Sequence, residues 1–394
     1  MILKKYKYII LVILSVFSFQ GFLTGQIRVR LFSDSSPESV VFSVYEGNYE
    51  IQFFDGESIT LEKHEPVAIT RYNGRIAIRT KNMSGSLCDS VIIKGLTGKD
   101  IFSLRLTGQN PVRRLYSGDL FCSSDLGTIL LINTSDVEDY IAGVVRTESG
   151  AGRNLEYSKT QALLVRTYMY KYLYRHAMDG YNLCDNIHCQ AFNGITDDPV
   201  ILRAARETKG LVILDSNKIP VISAFHSNCG GETAQPQDVW LANHPYLTKV
   251  KDPYCTSSRS AVWHKTIPLA EWVSYLRRHG LKADISDPSV LNFSQLTRMS
   301  EYRVGNFTLP LRIIRDDFKL RSTFFSVIAD QGKVLLKGRG YGHGVGLCQE
   351  GALVMASRGF TFSQIIEFYY SGVIITDIKN ARDEHGLSFP LIEK

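Results

Sequence analysis

Short stretches in which apolar and polar residues alternate fill the first third of the chain. They include IRVRLF at residues 27–32, VVFSVYEGNYEIQFF at 40–54 and RYNGRIAIRTK at 71–81, and Gly, Asn and Asp turns separate them. Alternation of this kind is typical of strands that bury one face, and short polar turns join such strands into hairpins. The pattern predicts a β-rich region over residues 26–115, and it continues through LGTILLINTS at 126–135.

Helical patterns begin directly after this last stretch. Ser135 or Asp136 can cap a short helix over VEDYIAGVV, whose first turn is acidic. After the SGAG turn, apolar residues recur with helical spacing, which predicts a long helix from about Leu155 to Arg175. Glu148 is then expected at the corner between the two helices, where a rigid scaffold can position an exposed side chain.

The remaining chain mixes short strands and helices. A helix with proline at its start is predicted from Pro199 to Thr208, and LVILDSNKIPVISAF at 211–225 predicts a hairpin that turns at Ser216 and Asn217. The C-terminal part has a strand, a Gly-rich loop and a helix. We therefore expect an α+β fold, in which a β-rich N-terminal region precedes a mixed α/β domain with a long helix next to the Glu148 turn.

Composition and charge narrow the class of protein. The 394 residues are 44% hydrophobic, which is enough for a sizeable core and two domains. The net charge of +6 is spread along the chain, so no nucleic-acid partner is expected. Three lysines precede an apolar run at residues 8–25, which predicts a signal peptide at 1–25, with a retained membrane anchor as the alternative. The protein is therefore expected to be exported and to act in the periplasm or elsewhere outside the cytoplasm.

The chain has seven cysteines, of which Cys88, Cys122 and Cys348 stand alone in the sequence. Cys229 and Cys255 enclose a loop of 25 residues. In an exported chain this pair is expected to form a disulfide that stabilises the fold by about 3 kcal/mol, and two buried free thiols are the alternative.

The other two cysteines, Cys184 and Cys189, lie in HAMDGYNLCDNIHCQAF with His176 and His188. Two thiolates and two imidazoles make a closed tetrahedral ligand set, which is typical of structural zinc. The adjacent residues His188 and Cys189 must then lie in a tight turn, because neighbours on a strand point to opposite faces. A structural zinc site is predicted, and a Cys184–Cys189 disulfide is the alternative.

Two further segments contain residues typical of nucleotide-binding sites or serine hydrolases, but neither segment has the full motif of such a site. The loop GRGYGHGVGLCQEGA at 338–352 carries His343 among glycines, but it lacks the order of a dinucleotide site and the GK[ST] of a P-loop, so no nucleotide is expected. The segment AFHSNCGGETAQPQDVW sets Ser227 beside His226 without the G-x-S-x-G elbow of a serine hydrolase.

Three segments, in this order, resemble the stage II sporulation protein D and LytB amidase-enhancer family. They are DVEDYIAGVVRTESGAGRNLEYSKTQALLVRTY, then QAFNGITDDPVILRAARETKGLVILDSNKIPVISAFHSNCGGETAQPQDVW, and finally GRGYGHGVGLCQEGALVMASRGFTFSQIIEFYYSG. The resemblance covers about Tyr116 to Asp377. It implies a domain of this type over residues 116–380, followed by a tail at 381–394.

The resemblance also implies a function. Glu148 matches the catalytic residue of a lytic transglycosylase that cleaves peptidoglycan glycan strands stripped of their stem peptides. Ser149 and Gly150 depart from the family, in which Met-Pro often follows this Glu. The alternative is a non-catalytic, wall-binding enhancer that stimulates a cell-wall amidase.

Further residues are expected to support Glu148, one from its place on the long helix and the others because they stand in the matched motifs. Arg166 could bind a lactyl carboxylate or orient Glu148, with an ordinary surface arginine as the alternative. Some family members carry a metal at a His and Cys cluster like the one at 176–189, and no cofactor is expected for catalysis. The residues expected to line the glycan cleft are Gln190, His226, Ser227, His343 and Gln349.

A single carboxyl group suffices for the implied reaction. Retaining and inverting glycosidases need two carboxyl groups about 5–9.5 Å apart. In a lytic transglycosylase the C6 hydroxyl of the sugar is the nucleophile, so one Glu serves first as acid and then as base. The acid must be protonated near neutral pH, which requires a pKa raised by partial desolvation.

Overall fold

The structure is a computed structural model that describes residues 25–54, 56–82, 85–108, 111–240 and 242–389. It has the α+β architecture that the sequence patterns predict. The predicted signal peptide or anchor at 1–25 lies outside the described residues except for Gly25. Within the described ranges, no helix is both long enough and apolar enough to cross a membrane.

The chain divides into two compact units. Unit 1 comprises the described residues of Met1–Gly152, Val165–Leu211 and Asp377–Lys394, and unit 2 comprises Arg153–Leu164 and Val212–Thr376. The domain ranges predicted from the sequence follow other boundaries, since residue 115 lies inside a strand of unit 1. Those ranges remain a prediction about the family domain, and the compact units are described separately below.

Two sheets make up most of unit 1. The strands are β1 (Gln26–Arg30), β2 (Ser39–Glu46), β3 (Tyr49–Phe53), β4 (Ser58–Leu61), β5 (Pro66–Tyr72), β6 (Arg75–Arg79), β7 (Ser86–Cys88), β8 (Ser90–Gly95), β9 (Ile101–Leu106), β10 (Arg113–Ser117), β11 (Asp119–Asp125), β12 (Thr128–Asp136) and β13 (Leu183–Cys184). The first sheet has the order β13-β1-β12-β11-β8-β3-β4, and the second has the order β10-β9-β2-β5-β6-β7. β1 pairs antiparallel with β12 and parallel with β13, which brings a late segment of the chain onto the first sheet.

The apolar core of unit 1 lies between these two sheets. Phe42 and Phe102 of the second sheet stack with ring centroids 5.0 Å apart. Tyr49 of the first sheet contacts both rings edge-on, at 5.4 and 5.9 Å. Buried and exposed positions alternate along β2, β5, β6 and β8, so the predicted strand pattern of this region is confirmed.

The helices of unit 1 follow the sheets. α1 (Val137–Ser149) is capped by Asp136, whose side chain accepts hydrogen bonds from two amides of the first turn. α2 (Leu155–Lys171) begins where predicted but ends four residues before Arg175, because the amides of Leu173 and Arg175 bond to carbonyl groups only three residues back. α2 starts among the residues of unit 2 and ends among those of unit 1. α3 (Pro199–Glu207) is capped by Asp198.

Unit 2 contains the remaining elements. They are β14 (Leu211–Leu214), β15 (Phe225–His226), α4 (Pro236–Trp240), β16 (Val262–Pro268), α5 (Leu269–Arg278), β17 (Glu301–Val304), β18 (Phe307–Pro310), α6 (Leu311–Asp317), β19 (Phe325–Asp330), β20 (Lys333–Arg339), β21 (Leu347–Cys348), α7 (Gln349–Ser357), α8 (Phe362–Tyr369) and β22 (Ile374–Asp377). A four-residue 3₁₀ helix of unit 2 lies at Pro288–Leu291, and three-residue 3₁₀ helices of unit 1 lie at Ala177–Asp179 and Ile378–Asn380.

Short sheets organise unit 2. β16, β20 and β19 form an antiparallel sheet, whose core includes the fully buried Trp272 and Tyr302. β15 pairs in parallel with β21, while β14 pairs with β22. The hairpin predicted at 211–225 is limited to one antiparallel bridge between Leu214 and Pro220, which is flanked by hydrogen bonds from the amide of Val221 to Ile213 and from that of Asp215 to Ile219. The pairing of β15 with β21 joins the second and third family motifs.

Candidate functional site

Glu148 is a half-buried residue in the last turn of α1. The helix extends beyond the predicted VEDYIAGVV segment, so Glu148 lies on the helix and not in the turn that follows it. Gly150 then ends the helix with a φ of 77°, a conformation that favours glycine. The helical backbone therefore fixes where the carboxyl group leaves the main chain.

The carboxyl group of Glu148 is bound by the backbone of a neighbouring segment. The amide of Ala191 donates a hydrogen bond of 3.1 Å to Oε1. Burial raises the pKa of Glu148 above its ordinary value, and the hydrogen bond from Ala191 opposes this shift. A carboxyl group with a raised pKa holds its proton at higher pH, which suits a proton donor.

The segment that carries Ala191 packs closely on α1. The hydroxyl of Tyr140 donates a hydrogen bond of 3.1 Å to Oε1 of the buried Gln190. Gly143 of α1 permits this approach, because a Cβ atom there would overlap the ring of Phe192 and the carbonyl oxygen of Gly194. The predicted site residue Gln190 thus belongs to the segment that binds Glu148, and Tyr140 is a contact that sequence analysis missed.

Arg166 is fully buried, which excludes the alternative of a surface arginine. Its guanidinium donates hydrogen bonds of 2.6 Å to the carboxylate of Glu138, 2.7 Å to the carbonyl oxygen of Thr208 and 3.0 Å to that of Ala205. These bonds tie α2 to α1 and to the end of α3. The partner of Arg166 is therefore Glu138, and these contacts support a structural role.

Two neutral histidines lie together in unit 2. The amide of Val345 donates to Nδ1 of His343 at 3.1 Å, so Nε2 carries the proton and donates to the carbonyl oxygen of Phe225 at 2.9 Å. Nδ1 of His226 donates to the carbonyl oxygen of Val345 at 3.1 Å. Burial lowers the pKa of His343 to about 4 and that of His226 well below its ordinary value.

The buried Nε2 of His226 has no hydrogen-bond partner among the described residues. Since Nδ1 carries the proton, Nε2 is an acceptor in a ring that lies 5.5 Å from the His343 ring. Trp240, which is 39% exposed, lies 5.3 Å from His343 on another side. The two imidazoles are thus held by backbone groups, and Trp240 beside them presents an exposed aromatic face to a ligand.

Ser227 and Gln349 lie beside the paired strands β15 and β21. Ser227 is half-buried, and its carbonyl oxygen accepts a hydrogen bond of 3.1 Å from the amide of Glu350. Gln349 is the first residue of α7, and its side chain donates to Gln161 of α2 at 3.3 Å. The structure thus groups His226, Ser227, His343 and Gln349 within unit 2.

The predicted zinc ligands form one cluster in unit 1. The ligand atoms of His176, Cys184, His188 and Cys189 all lie within 4.8 Å of one another. Cys189 Sγ is 3.5 Å from both imidazoles, and Cys184 Sγ is 3.6 Å from that of His188. Both cysteines are free thiols in this structure. The donor set and its spread fit a single tetrahedral ion, which is the ligand chemistry that structural zinc uses.

Local turns give this zinc-type cluster its shape. The side chain of Asn186 accepts from the amide of His188 at 2.8 Å, and its carbonyl oxygen accepts from Cys189 at 3.0 Å. This is the tight turn that the adjacent ligands require. Asp179 lies 3.2 Å from Nδ1 of His176, where a carboxylate orients a ring whose other nitrogen faces the cluster.

Unit 2 contains a second cluster, which sequence analysis did not predict. The ligand atoms of Cys229, Asp252, Cys255 and Cys348 also lie within 4.8 Å of one another, and all four residues are buried. Cys348 is therefore not isolated, contrary to its place in the sequence, because the pairing of β15 with β21 carries it to Cys229. The D-x-x-C spacing of Asp252 and Cys255 was the one local signal available.

The expected Cys229–Cys255 disulfide is not formed in this structure, where the two sulfurs are 3.3 Å apart and unbonded. A disulfide bond requires about 2.05 Å. The sulfurs are adjacent, so the disulfide stays a prediction that oxidation of this pair would satisfy.

Comparison with known proteins agrees with the motifs. A family model described as stage II sporulation protein (SpoIID) matches residues 125–214. Stage II sporulation protein D of Bacillus subtilis is 28% identical over 259 residues, which are 61% of this chain and 74% of the relative. An uncharacterised protein of Brachyspira hyodysenteriae is 26% identical over 275 residues, or 68% of this chain and 74% of that protein.

A further relative has a different name. The amidase enhancer of Bacillus subtilis is 27% identical over 289 residues, which are 60% of this chain and 40% of the relative. The matched range 125–214 contains Glu148, Arg166, Gln190 and the zinc-type cluster. Residues 125–214 therefore match a stage II sporulation protein (SpoIID) family domain, which confirms the resemblance of the motifs.

Proposed function

We propose that this protein is a lytic transglycosylase that cleaves peptidoglycan glycan strands, with Glu148 as its catalytic residue. The observation that carries the proposal is the half-buried carboxyl group on α1, whose pKa is raised by burial. A cell-wall role is supported by the SpoIID match and by relatives named stage II sporulation protein D and amidase enhancer. Such a role places the protein outside the cytoplasm, as the apolar N-terminal run also suggests.

In the proposed reaction Glu148 transfers one proton in each of two steps. The protonated carboxyl group first donates its proton to the glycosidic oxygen, and the bond from that oxygen to C1 of N-acetylmuramic acid breaks. The resulting carboxylate then accepts the proton of the C6 hydroxyl as its oxygen bonds to C1. The products are a free hydroxyl on the leaving sugar and a 1,6-anhydro ring, and Glu148 returns to its protonated state.

The Ala191 amide has a defined part in this cycle. Its hydrogen bond to Oε1 of Glu148 holds the carboxyl group in one orientation and stabilises the carboxylate that forms after the first step. Burial favours the protonated form before that step. The two effects oppose each other, which keeps the group able both to give and to take a proton.

The neutral polar groups of unit 2 are proposed as glycan contacts. Apart from the lactyl carboxylate, a stripped glycan strand presents hydroxyl and acetamido groups, which neutral donors and acceptors can bind. Nε2 of His226 is a buried acceptor without a partner among the described residues, so a sugar hydroxyl could reach it only after a neighbouring group moved aside. Trp240 and Tyr341 are 39% and 49% exposed and can stack on sugar rings.

We also propose a structural zinc ion at the cluster of His176, Cys184, His188 and Cys189. When bound, the ion would supply folding energy and no catalytic chemistry, because the four residues complete a tetrahedral set. Cys189 directly precedes Gln190 and Ala191, so these residues would hold the start of the segment that binds Glu148. Loss of the ligands should therefore loosen the hydrogen bond to Glu148.

The test is the chemical identity of the products. The purified protein is incubated with glycan strands that either carry or lack stem peptides, and mass spectrometry distinguishes 1,6-anhydro ends from reducing ends, which contain one more water. We expect anhydro ends, mainly from stripped strands. Glu148→Gln should slow their formation by about 10²–10⁴-fold. Glu156→Gln is the matched control, since Glu156 pairs with Lys159 at the start of α2 and has no part in the proposed reaction.

Other outcomes would reject the mechanism. Reducing ends would indicate hydrolysis by water. If the glycan strands stay intact, and both the wild type and Glu148→Gln stimulate a cell-wall amidase, the protein would be a non-catalytic enhancer. The name of the amidase-enhancer relative suggests this function.

A further inference from the structure

The buried cluster of Cys229, Asp252, Cys255 and Cys348 in unit 2 has the composition of a metal site. Three segments that are distant in sequence supply it: the segment that carries both His226 and Cys229, the loop at 252–255, and Cys348 directly before α7. Their ligand atoms lie within 4.8 Å of one another, and every residue of the group is buried. We propose that these four residues bind a second zinc ion with a structural role.

The distances favour four ligands around one centre over a disulfide plus a spare thiol. Cys229 Sγ is 3.3 Å from Cys255 Sγ and 3.2 Å from Oδ2 of Asp252. Zinc–sulfur bonds of about 2.3 Å in a tetrahedron separate two sulfurs by about 3.8 Å, so the pair would move apart by about half an ångström. A disulfide would instead draw it together to about 2.05 Å.

A disulfide would also leave a third thiol buried beside it. Cys348 Sγ lies 3.3 Å from the amide nitrogen of Cys229, on the same side as the other ligands. Only a shared ion uses all three sulfurs and the carboxylate together. Thiolate ligands select zinc over magnesium or calcium, and a site buried on all sides is the closed, structural kind.

The groups around the cluster can stabilise the negative charge of its ligands. Three thiolates and one carboxylate carry two more negative charges than Zn²⁺ neutralises. Cys348 caps α7, and its sulfur accepts from the amides of Gly351 at 3.4 Å and Cys229 at 3.3 Å, so the positive end of the helix dipole faces it. The buried guanidinium of Arg298 donates to the carbonyl oxygen of Cys229 at 2.8 Å, which brings a positive charge to the cluster.

The carboxylate is also held in place for coordination. The hydroxyl of Tyr369 donates to Oδ2 of Asp252 at 2.9 Å, and the amide of Tyr254 donates to Oδ1 at 2.8 Å. Hydrogen bonds of this kind, from groups that do not bind the metal themselves, orient the ligands of metal sites. Gly351 belongs to the same arrangement, because a Cβ atom there would overlap both the Tyr369 hydroxyl and the Asp252 carboxylate.

Zinc content of the full-length protein tests the proposal. We expect about two zinc ions per chain in the wild type and about one in Cys348→Ala, with a lower Tm. Cys184→Ser should also retain about one, because it removes only the ligand of the other cluster. Cys122→Ala is the matched control: it deletes a buried thiol of β11 outside both clusters and should keep about two.

Thiol protection tests the site without any substitution. In the wild type, Cys229, Cys255 and Cys348 should resist alkylation until a chelator is added, while the chelator should not change the labelling of Cys122. A single zinc that is lost in Cys348→Ala but kept in Cys184→Ser would still support this site and would reject the one in unit 1. Zinc content unchanged by Cys348→Ala, or a Cys229–Cys255 disulfide found by non-reducing peptide mapping, overturns the proposal. Neither result bears on Glu148.

Discussion

Burial has opposite consequences for the polar residues of the two units. In unit 1 it raises the pKa of Glu148, and in unit 2 it lowers the pKa of His226 and His343. The physical cause is the same, because desolvation always disfavours the charged form. For a carboxyl group the favoured form carries a transferable proton, whereas for an imidazole it is the uncharged ring. Unit 1 therefore offers an acid, whereas the two imidazoles of unit 2 stay uncharged.

The largest expected loss of activity tests whether Glu148 of unit 1 is the only residue that transfers protons in the reaction. Glu148→Gln should lower kcat on stripped glycan strands by about 10²–10⁴-fold, because it removes general acid catalysis. His343→Gln should cost no more than about tenfold, mainly in KM, because it replaces one neutral hydrogen-bonding group by another. Steady-state rates of anhydro-end formation measure both.

An equal loss of kcat in the two variants would contradict this division of roles between the two units. An imidazole of unit 2 would then take part in proton transfer, and Glu148 would no longer be the only acid and base. Glu156→Gln, measured beside them, reports any loss that comes merely from removing a carboxylate near the start of α2.

Features formed within short stretches of chain could be predicted from the sequence. Asp136 caps α1 as expected, since a cap depends on residues two or three positions away. The zinc-type ligands were recognised for the same reason: His176 and Cys189 are only 13 residues apart. The helix predicted over VEDYIAGVV runs four residues further, to Ser149, so that Glu148 lies in its last turn and Gly150 ends it.

Features assembled from distant segments could not be predicted. Cys348 lies 119 residues from Cys229, and only the parallel pairing of β15 with β21 brings them together. Short strands carry too little hydrophobic pattern to specify their partner or register. The burial of Arg166 was missed for a related reason, because its acceptors Glu138 and Thr208 come from two other helical segments.

A second, smaller effect tests the neutral imidazoles of unit 2. An unfolded chain binds a proton at histidine near pH 6.5, whereas folded His343 binds one only near pH 4. Between these pH values the unfolded state holds more protons than the folded state. The stability that depends on neutral His343 is therefore fully present above about pH 6.5 and falls as the pH decreases. From pH 7 to pH 5 the half-buried His343 should contribute a loss of about 1–2 kcal/mol.

Urea unfolding at pH 7 and pH 5 measures this loss. His343→Gln has no titrating ring, so its stability should depend less on pH than that of the wild type by about the same amount. An equal pH dependence in the two proteins would mean that His343 is not kept neutral by burial.

The smallest effect concerns the stability cost of the acid in unit 1. Because the folded pKa of Glu148 is raised, the folded state holds its proton at pH values where the unfolded chain, with a pKa near 4.3, has lost it. Stability is therefore lost as the pH rises through the folded pKa. Glu148→Gln removes this penalty and retains an oxygen to accept the Ala191 hydrogen bond, so it should be more stable at pH 8 by up to about 1 kcal/mol.

Glu156→Gln should change in the opposite direction, because it loses the ion pair with Lys159 and weakens the hydrogen bond from the Phe362 amide. Denaturant unfolding at pH 8 and pH 4 distinguishes the two, and a Glu148→Gln protein less stable than the wild type at pH 8 would show that burial does not disfavour this carboxylate.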